Sequence, residues 1–404
     1  MTRQTTISPT AVLTCGAIIL AIALGIRHGF GLFLQPMSFD NGWGREVFSL
    51  AIAIQNLLWG ISQPFTGMIA DRLGAGRAIM VGAVLYAAGL LLMAVSDTPG
   101  MLTLSAGFLI GFGLSGTTFS IVFGAVSRAL PPEKRSLGMG IAGAVGSAGQ
   151  FIMLPGSMAL ISGFGWAVAL VGLGGVAALM VPLATALRER QAVARQSTDV
   201  SVRAALGEAY RHPGFRLLSF GYFVCGFQVV FIGLHLPAFL VDRGMSPETG
   251  MTVLALIGLF NIAGSLLAGY LGGRFPKPAI LAVLYAVRGI VIATFAFLVP
   301  ITATSAYVFG IAMGFLWLAT VPLTNGVVAT VFGVRNMAMI GGVAFVFHQA
   351  GAFLGGWLGG YLYDQTGSYS AVWAICIGLS VVATLLNVPI KERPIARLGE
   401  AGSA

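Results

Sequence analysis

Long apolar runs dominate this chain and leave it few possible folds. Twelve of them lie along its 404 residues, at roughly 10–35, 46–70, 77–96, 101–127, 136–161, 165–187, 215–241, 249–273, 278–299, 303–331, 337–362 and 369–390. Each reaches or passes the ~20 residues that a helix needs to cross the hydrocarbon layer. Only helices and closed barrels satisfy every backbone polar group there, and runs of this length are helical. The expected fold class is therefore an all-α membrane protein with twelve transmembrane helices. Charge content agrees, since 9% of residues are charged against roughly 25% in soluble domains. The first run extends to about Leu34, too far for the apolar core of a cleavable leader, so it counts as a span.

Most separators are short, such as "DTPG" at Asp97, "SGFG" at Ser162 and "DQTGS" at Asp364. The polar stretch from Arg188 to Arg216 is the exception. It divides the chain into an N-terminal six-helix bundle (1–187), a linker (188–214) and a C-terminal six-helix bundle with a short tail (215–404). The net charge of +9 comes from basic residues scattered in loops, which reads as topology rather than nucleic-acid binding. With the N-terminus inside, only Arg45 and Arg243 of the 22 Lys+Arg fall outside, and only Arg27 and Arg288 fall within spans. The remaining 18 are cytoplasmic, a strong positive-inside signal that puts both termini in the cytoplasm. Cys15, Cys225 and Cys376 all sit in apolar segments without paired spacing, so neither a disulfide nor a metal site is expected.

The halves repeat. "GMIADRLGAGR" at Gly67 and "GYLGGRFPKP" at Gly269 lie 202 residues apart, and Arg72/Arg274, Thr118/Thr320 and "SAGQF"/"QAGAF" keep that offset. Pro36 and Pro237 are expected to end their helices at nearly the same spacing. Parallel repeats of this kind place a substrate site between the halves, near the bilayer midplane.

Gly67-x-x-x-Asp71-Arg72-x-Gly74-x-x-Arg77 resembles the signature of the major facilitator superfamily. Gly67 and Gly74 allow close helix contact there, and Asp71, Arg72 and Arg77 are expected to pair across helix ends as a conformational switch. "NGWGREVFSLAIAIQNLLWGISQPFTGMIADRLG", "CGFQVVFIGLHLPAFL", "GFLWLATVPLT" and "FHQAGAFLGGWLGGYLYDQTGSYSAVW" are similar to bacterial monocarboxylate-porter-like members. The resemblance implies two pseudo-symmetric six-helix bundles, with spans one, two, four, five, seven, eight, ten and eleven lining a cavity. Animal carriers of that group have a lysine in the first helix, about where Arg27 and His28 stand. They also carry an Asp and an Arg in the eighth, where this chain has Asn261 and Ser265.

All 13 acidic residues lie in loops or near helix ends. The ionisable groups inside spans are Arg27, His28, His235, Arg288 and His348, so a cavity lined by them attracts an anion. A charged side chain at the bilayer centre costs about 3 kcal/mol on insertion scales, which marks Arg27 as a functional candidate. The expected substrate residues are Arg27, His28, Gln55, Asn56, Gln150, Gln228, Trp317, Thr320, Thr324, His348 and Gln349. Trp317, Thr320 and Thr324 are expected to share one helical face, as are Cys225, Gln228 and His235. His28 and His348 are the proton-coupling candidates, and His235 is a gate or interfacial residue. Arg288, on a peripheral span, is expected to make an internal structural pair or to snorkel.

No nucleotide-binding loop, Gly-x-Ser-x-Gly elbow or His-Glu-x-x-His is present, so no cofactor, ATP drive or enzyme chemistry is expected. The sequence reads as a monomeric secondary transporter of a small organic anion, a monocarboxylate, in a bacterial inner membrane, with protons and lipid as its other partners. The alternatives are efflux of amphiphilic compounds and a non-transporting receptor.

Overall fold

The computed structural model describes residues 8–188, 202–333 and 337–395, and every regular element among them is helical. The transmembrane helices are α1 (Pro9–Leu32), α2 (Arg45–Leu73), α3 (Ala75–Met93), α4 (Pro99–Ala129), α5 and α6 (both within Gly138–Leu187), α7 (Pro213–Asp242), α8 (Pro247–Gly272), α9 (Lys277–Leu298), α10 (Ala303–Phe332), α11 (Met337–Thr366) and α12 (Ser370–Asn387). The division between α5 and α6 is a single residue, Gly165, at φ 83°. Only glycine adopts that backbone without strain, so "SGFG" turns the chain with almost no loop.

Local chemistry sets the helix starts. Ser8, Thr98 and His212 each accept a hydrogen bond from a first-turn N–H, and each is followed by proline at the first helical position. That combination satisfies a free donor and presets the backbone. Thr302 and Ser305 form a reciprocal capping pair at the start of α10.

Neither Pro36 nor Pro237 ends its helix: Pro36 lies inside a short helix, Leu34–Asn41, that follows α1, and Pro237 lies inside α7, which continues to Asp242. A proline frees the carbonyl four residues back, here that of Gly233. A Cβ on Gly31 of α1 would overlap that oxygen, so the two bundles cross at two glycines 202 residues apart. Other seams between the halves are equally tight. A Cβ on Gly60 of α2 would stand 2.7 Å from Gln349 of α11, and one on Gly258 of α8 would stand 3.2 Å from Gln150 of α5. Small residues at crossings are how membrane helices pack closely.

Two helices, one in each half, are broken at equivalent positions. In α4 the helical dihedrals fail at Thr118 (φ −109°, ψ −168°). In α10 one helical segment ends at Leu316 and the next begins at Thr320. Thr118 and Thr320 keep the 202-residue offset, so the repeat extends to the interruptions. The expected common face of Trp317, Thr320 and Thr324 does not form, because the break falls between Trp317 and Thr320.

Of the switch residues, Gly74 sits at φ 93° in the one-residue junction between α2 and α3. Gly67 has open space where a Cβ would be, and Arg72 and Arg77 are exposed. The Asp71 side chain lies outside the described residues.

Candidate functional site

A cavity lies between the bundles. Arg27, His28, Phe30 and Gly31 of α1 with Ile52, Gln55 and Asn56 of α2 form one wall. Val229, Val230, Gly233 and Leu234 of α7 with Trp317 of α10 form the other. Its volume is about 30 Å³, space for one or two waters. Anything larger therefore fits only when the halves part.

The Arg27 guanidinium donates to Asn56 Oδ1 at 2.5 Å and lies 4.9 Å from the centre of the Trp59 ring. Its Nε is buried without a partner, and no Asp or Glu lines the cavity. Neutral contacts thus hold a cation whose charge is uncompensated from within the site. His28, one residue on, also reaches the cavity. Adjacent helical residues diverge by about 100°, but the α-helical part of α1 ends at His28 and its last turn, over Phe30–Leu32, is wound more tightly. His28 Nε2 lies 3.1 Å from the Leu254 carbonyl of α8, and its ring meets Trp317 edge-on at 6.0 Å. Gln55 donates to the Ala106 carbonyl at 2.8 Å and leaves Oε1 unpartnered.

Five of the eleven expected substrate residues, Arg27, His28, Gln55, Asn56 and Trp317, are brought together in the cavity lining. The other six stand off it, each for a visible reason. Gln228 turns into the C-terminal bundle and donates to the Cys376 carbonyl at 2.9 Å and to Ser380 at 2.7 Å. Thr320 faces Cys225, with Oγ1 3.1 Å from the sulfur, and Thr324 is buried in the same bundle. Gln150 and Gln349 occupy the α5–α8 and α2–α11 seams, with Oε1 and Nε2 respectively lacking partners. His348 is buried against Phe345 and Tyr222, with Nδ1 3.2 Å from Gln349 Oε1 and Nε2 unpartnered. Sequence reasoning missed the apolar wall of α7. Gly31 and Gly233 are repeat mates, and they touch between the halves.

The end of the molecule away from Pro9 is closed by polar contacts between the halves. Arg45 forms a two-pronged pair with Asp242 at 2.6 and 2.8 Å and lies 3.8 Å from the Tyr363 ring centre. Asp364 accepts from the backbone N–H groups of Arg45 and Glu46, capping α2, and Trp357 donates to Glu46 at 2.9 Å. His235 is wholly buried behind this cluster, 2.8 Å from the Gly356 carbonyl and 3.1 Å from the Tyr369 hydroxyl, which also accepts from Arg45. It therefore belongs to the closed seam rather than to the membrane interface.

The Arg288 guanidinium is completely buried and does not snorkel. It donates to the carbonyls of Leu316 and Trp317, the latter at 2.9 Å, and to Gln228 Oε1 at 3.3 Å. It is the expected internal structural partner, and the group it serves is the break in α10.

Comparison with known proteins agrees with this architecture. The family model described as Major Facilitator Superfamily matches residues 13–356. An uncharacterized MFS-type transporter, YcxA of Bacillus subtilis (strain 168), is 27% identical over 93% of this chain and 94% of its own. Monocarboxylate transporter 13 of Rattus norvegicus is 26% identical over 88% of this chain and 82% of its own. Among solved structures, the nucleoside transporter NupG superposes with a TM-score of 0.75 at 14% identity, covering 94% of this chain and 99% of that one. A bacterial homologue of the human lysosomal transporter Spinster, in an inward-facing and occupied conformation, gives 0.70 at 15% identity, covering 96% and 95%. With twelve long helices among the described residues in two related bundles around a central cavity, and a family match over residues 13–356, the chain belongs to the major facilitator superfamily of multi-pass membrane transporters.

Proposed function

We propose that this chain transports a small organic anion, a monocarboxylate, by alternating access. The observation that carries the reading is Arg27, a cation facing the inter-bundle cavity with a neutral amide as its partner and no acidic residue in the lining. A substrate carboxylate supplies the missing charge, and the Gln55 and Asn56 amides add polar contacts beside it. The facing wall of Val229, Val230 and Leu234 accommodates an apolar tail. The likeness to monocarboxylate transporters supports the same substrate class.

The cycle follows from the contacts. With the Arg45–Asp242 end closed, the cavity opens toward the chain termini, the side that we take as the cytoplasmic face of a bacterial inner membrane because most Lys and Arg residues fall in its loops. Anion binding draws the α1–α2 wall toward α7 and α10, and the outer contacts then release. Coupling to protons falls to His28, whose ring stands in the cavity beside Arg27. His348 lies behind the α7 wall, where a proton reaches it only after the seam opens. The functional unit is the monomer, because both walls come from one chain.

The test is thermal stabilisation of purified protein by a panel of organic acids, followed by uptake into proteoliposomes with and without a pH gradient. Stabilisation by monocarboxylates that disappears in R27Q supports the reading, and an unchanged stabilisation in R27Q refutes the site. Uptake that ignores collapse of the pH gradient removes proton symport. The apolar α7 wall favours a second reading, efflux of amphiphilic compounds, which predicts transport of uncharged amphiphiles that survives R27Q.

A further inference from the structure

A buried arginine without a carboxylate partner needs an explanation. Arg288 of α9 is wholly buried, and no Asp or Glu among the described residues bonds to it. It lies outside the cavity lining, so substrate does not account for it either. Its donors go to the break in α10, where helix interruption leaves carbonyls without their usual N–H partners. Leu316 and Trp317 are those positions. On the other side of the break, the N–H of Leu318 donates to Asn261 Oδ1 of α8 at 3.1 Å, and Ser265 donates to the same oxygen at 3.3 Å. Between these two attachments stands Trp317, whose indole forms cavity wall against His28 of the other bundle.

The N-terminal bundle repeats the arrangement with different residues. Trp59 and Gln63 are the mates of Asn261 and Ser265 at the 202-residue offset. They bond to each other at 2.8 Å, and the Trp59 indole donates to Thr118, at the break in α4, at 3.0 Å. Tyr86 is the mate of Arg288 but reaches α1 instead, donating to the Ala23 carbonyl at 2.9 Å. One half therefore holds its break through Trp59, on which Arg27 rests, while the other holds it through Asn261 and Arg288. A pair of interrupted helices at matching positions is the membrane-transporter arrangement that marks a substrate site, and here each interruption is tied to a cavity residue.

We propose that Arg288 and Asn261 are positioning residues: they hold the interruption in α10 open so that the Trp317 indole, not a regular helical turn, forms the cavity wall opposite Arg27. Without Arg288, the Leu316 carbonyl loses its side-chain donor and that of Trp317 keeps only the Cys225 thiol at 3.9 Å, so the segment rewinds to bond both to the N–H groups of Thr320 and Val321, Pro322 having no N–H to offer Leu318. Rewinding rotates residue 317 out of its place, because each helical residue turns the side chain by about 100°. Arg288 thus acts on the site through Trp317 and never touches substrate. The inference rests on the cavity being the substrate site, but its test needs no substrate.

Fluorotryptophan-labelled protein in lipid nanodiscs gives one fluorine resonance for each of the six tryptophans, with Trp317 assigned by its loss in W317F. In wild type the Trp317 line is expected to be single and to show little change between H₂O and D₂O. In R288Q and in N261L it is expected to broaden or split and to acquire a solvent isotope shift, with R288K restoring part of the wild-type behaviour. Trp43 and Trp166, at the far end, keep their lines. A Trp317 line in R288Q and N261L that moves without broadening or solvent exposure records only a lost neighbour and overturns the proposal, as does an unchanged line. If R288Q does not fold, N261L alone decides between these outcomes. An organic-anion reading that fails by uptake leaves this result standing, and the reverse holds as well.

Discussion

Replacing Arg27 with glutamine is the sharpest test of the electrostatic site. The substitution keeps a hydrogen-bonding amide of moderate length and removes the charge that stands beside Asn56 and over Trp59. A hydrogen bond involving a charged group contributes about 1.5–3 kcal/mol. At 1.4 kcal/mol per tenfold, affinity for a monocarboxylate should fall by about 10- to 150-fold. A coulombic estimate agrees in scale, since opposite charges 4 Å apart at an effective dielectric of 20 interact by about 4 kcal/mol before desolvation is subtracted. The assay is concentration-dependent uptake into proteoliposomes, paired with ligand-induced thermal stabilisation of the same preparation. The expected result is a raised KM in R27Q and a smaller rise in R27K, which keeps the charge but loses the planar fork. Folding should be preserved, because the cavity face relieves the buried charge when the guanidinium is removed. A KM within threefold of wild type in R27Q, with protein properly folded, would refute the reasoning.

Three further outcomes follow from particular contacts. In D242N the two-pronged pair with Arg45 is broken at a site where the side chains are only 26% and 12% exposed; truncating such a pair costs about 1–3 kcal/mol, between surface and buried cases. Labels placed across the outer seam should then report a population shift of about 5- to 150-fold toward separation, and an unmoved distance distribution would contradict the gate. A Cβ at Gly226 would overlap the His348 carbonyl, whereas Gly342 has open space, so G226A should abolish well-folded protein in a fluorescence-detected chromatography assay while G342A leaves its melting temperature within a degree or two. Burial lowers the pKa of His212 below the ordinary 6.5 despite the opposing charge of Glu208, and its neutral Nδ1 accepts from Phe215 N at 3.3 Å. Its contribution to stability is therefore complete above pH 6.5 and falls as pH drops below that value, where the unfolded chain takes up the proton first; H212N, which keeps a capping acceptor, should flatten the decline of melting temperature between pH 7.5 and 5.5.

The sequence alone determined the number of spans, the two-bundle repeat and the separation of Arg27 from any acidic partner. These follow from one-dimensional quantities: the length of an apolar run against the thickness of a bilayer, a fixed offset between matching residues, and the positions of 13 carboxylates. It also placed His28 and Trp317 near the site, although helical spacing grouped Trp317 with Thr320 and Thr324. Periodicity assumes an unbroken helix, and the interruption in α10 invalidates it. One local signal was present, Pro322, which lacks the N–H that would bond the Leu318 carbonyl, but it does not fix where the residue 317 side chain points. Contacts from α8 and α9, far away in the chain, hold it open. The same is true of Gln228, which its helical spacing with Cys225 and His235 and its place as the rough repeat counterpart of Arg27 marked as a cavity residue and which packing turned toward α12 and Arg288. Which side of a membrane helix faces a water-filled space depends on the neighbours that satisfy its polar groups, and those neighbours are assembled only in three dimensions. Tertiary structure likewise decided that Gly31 and Gly233 touch, because contact across a symmetry axis depends on where the axis runs, and the repeat offset does not fix that.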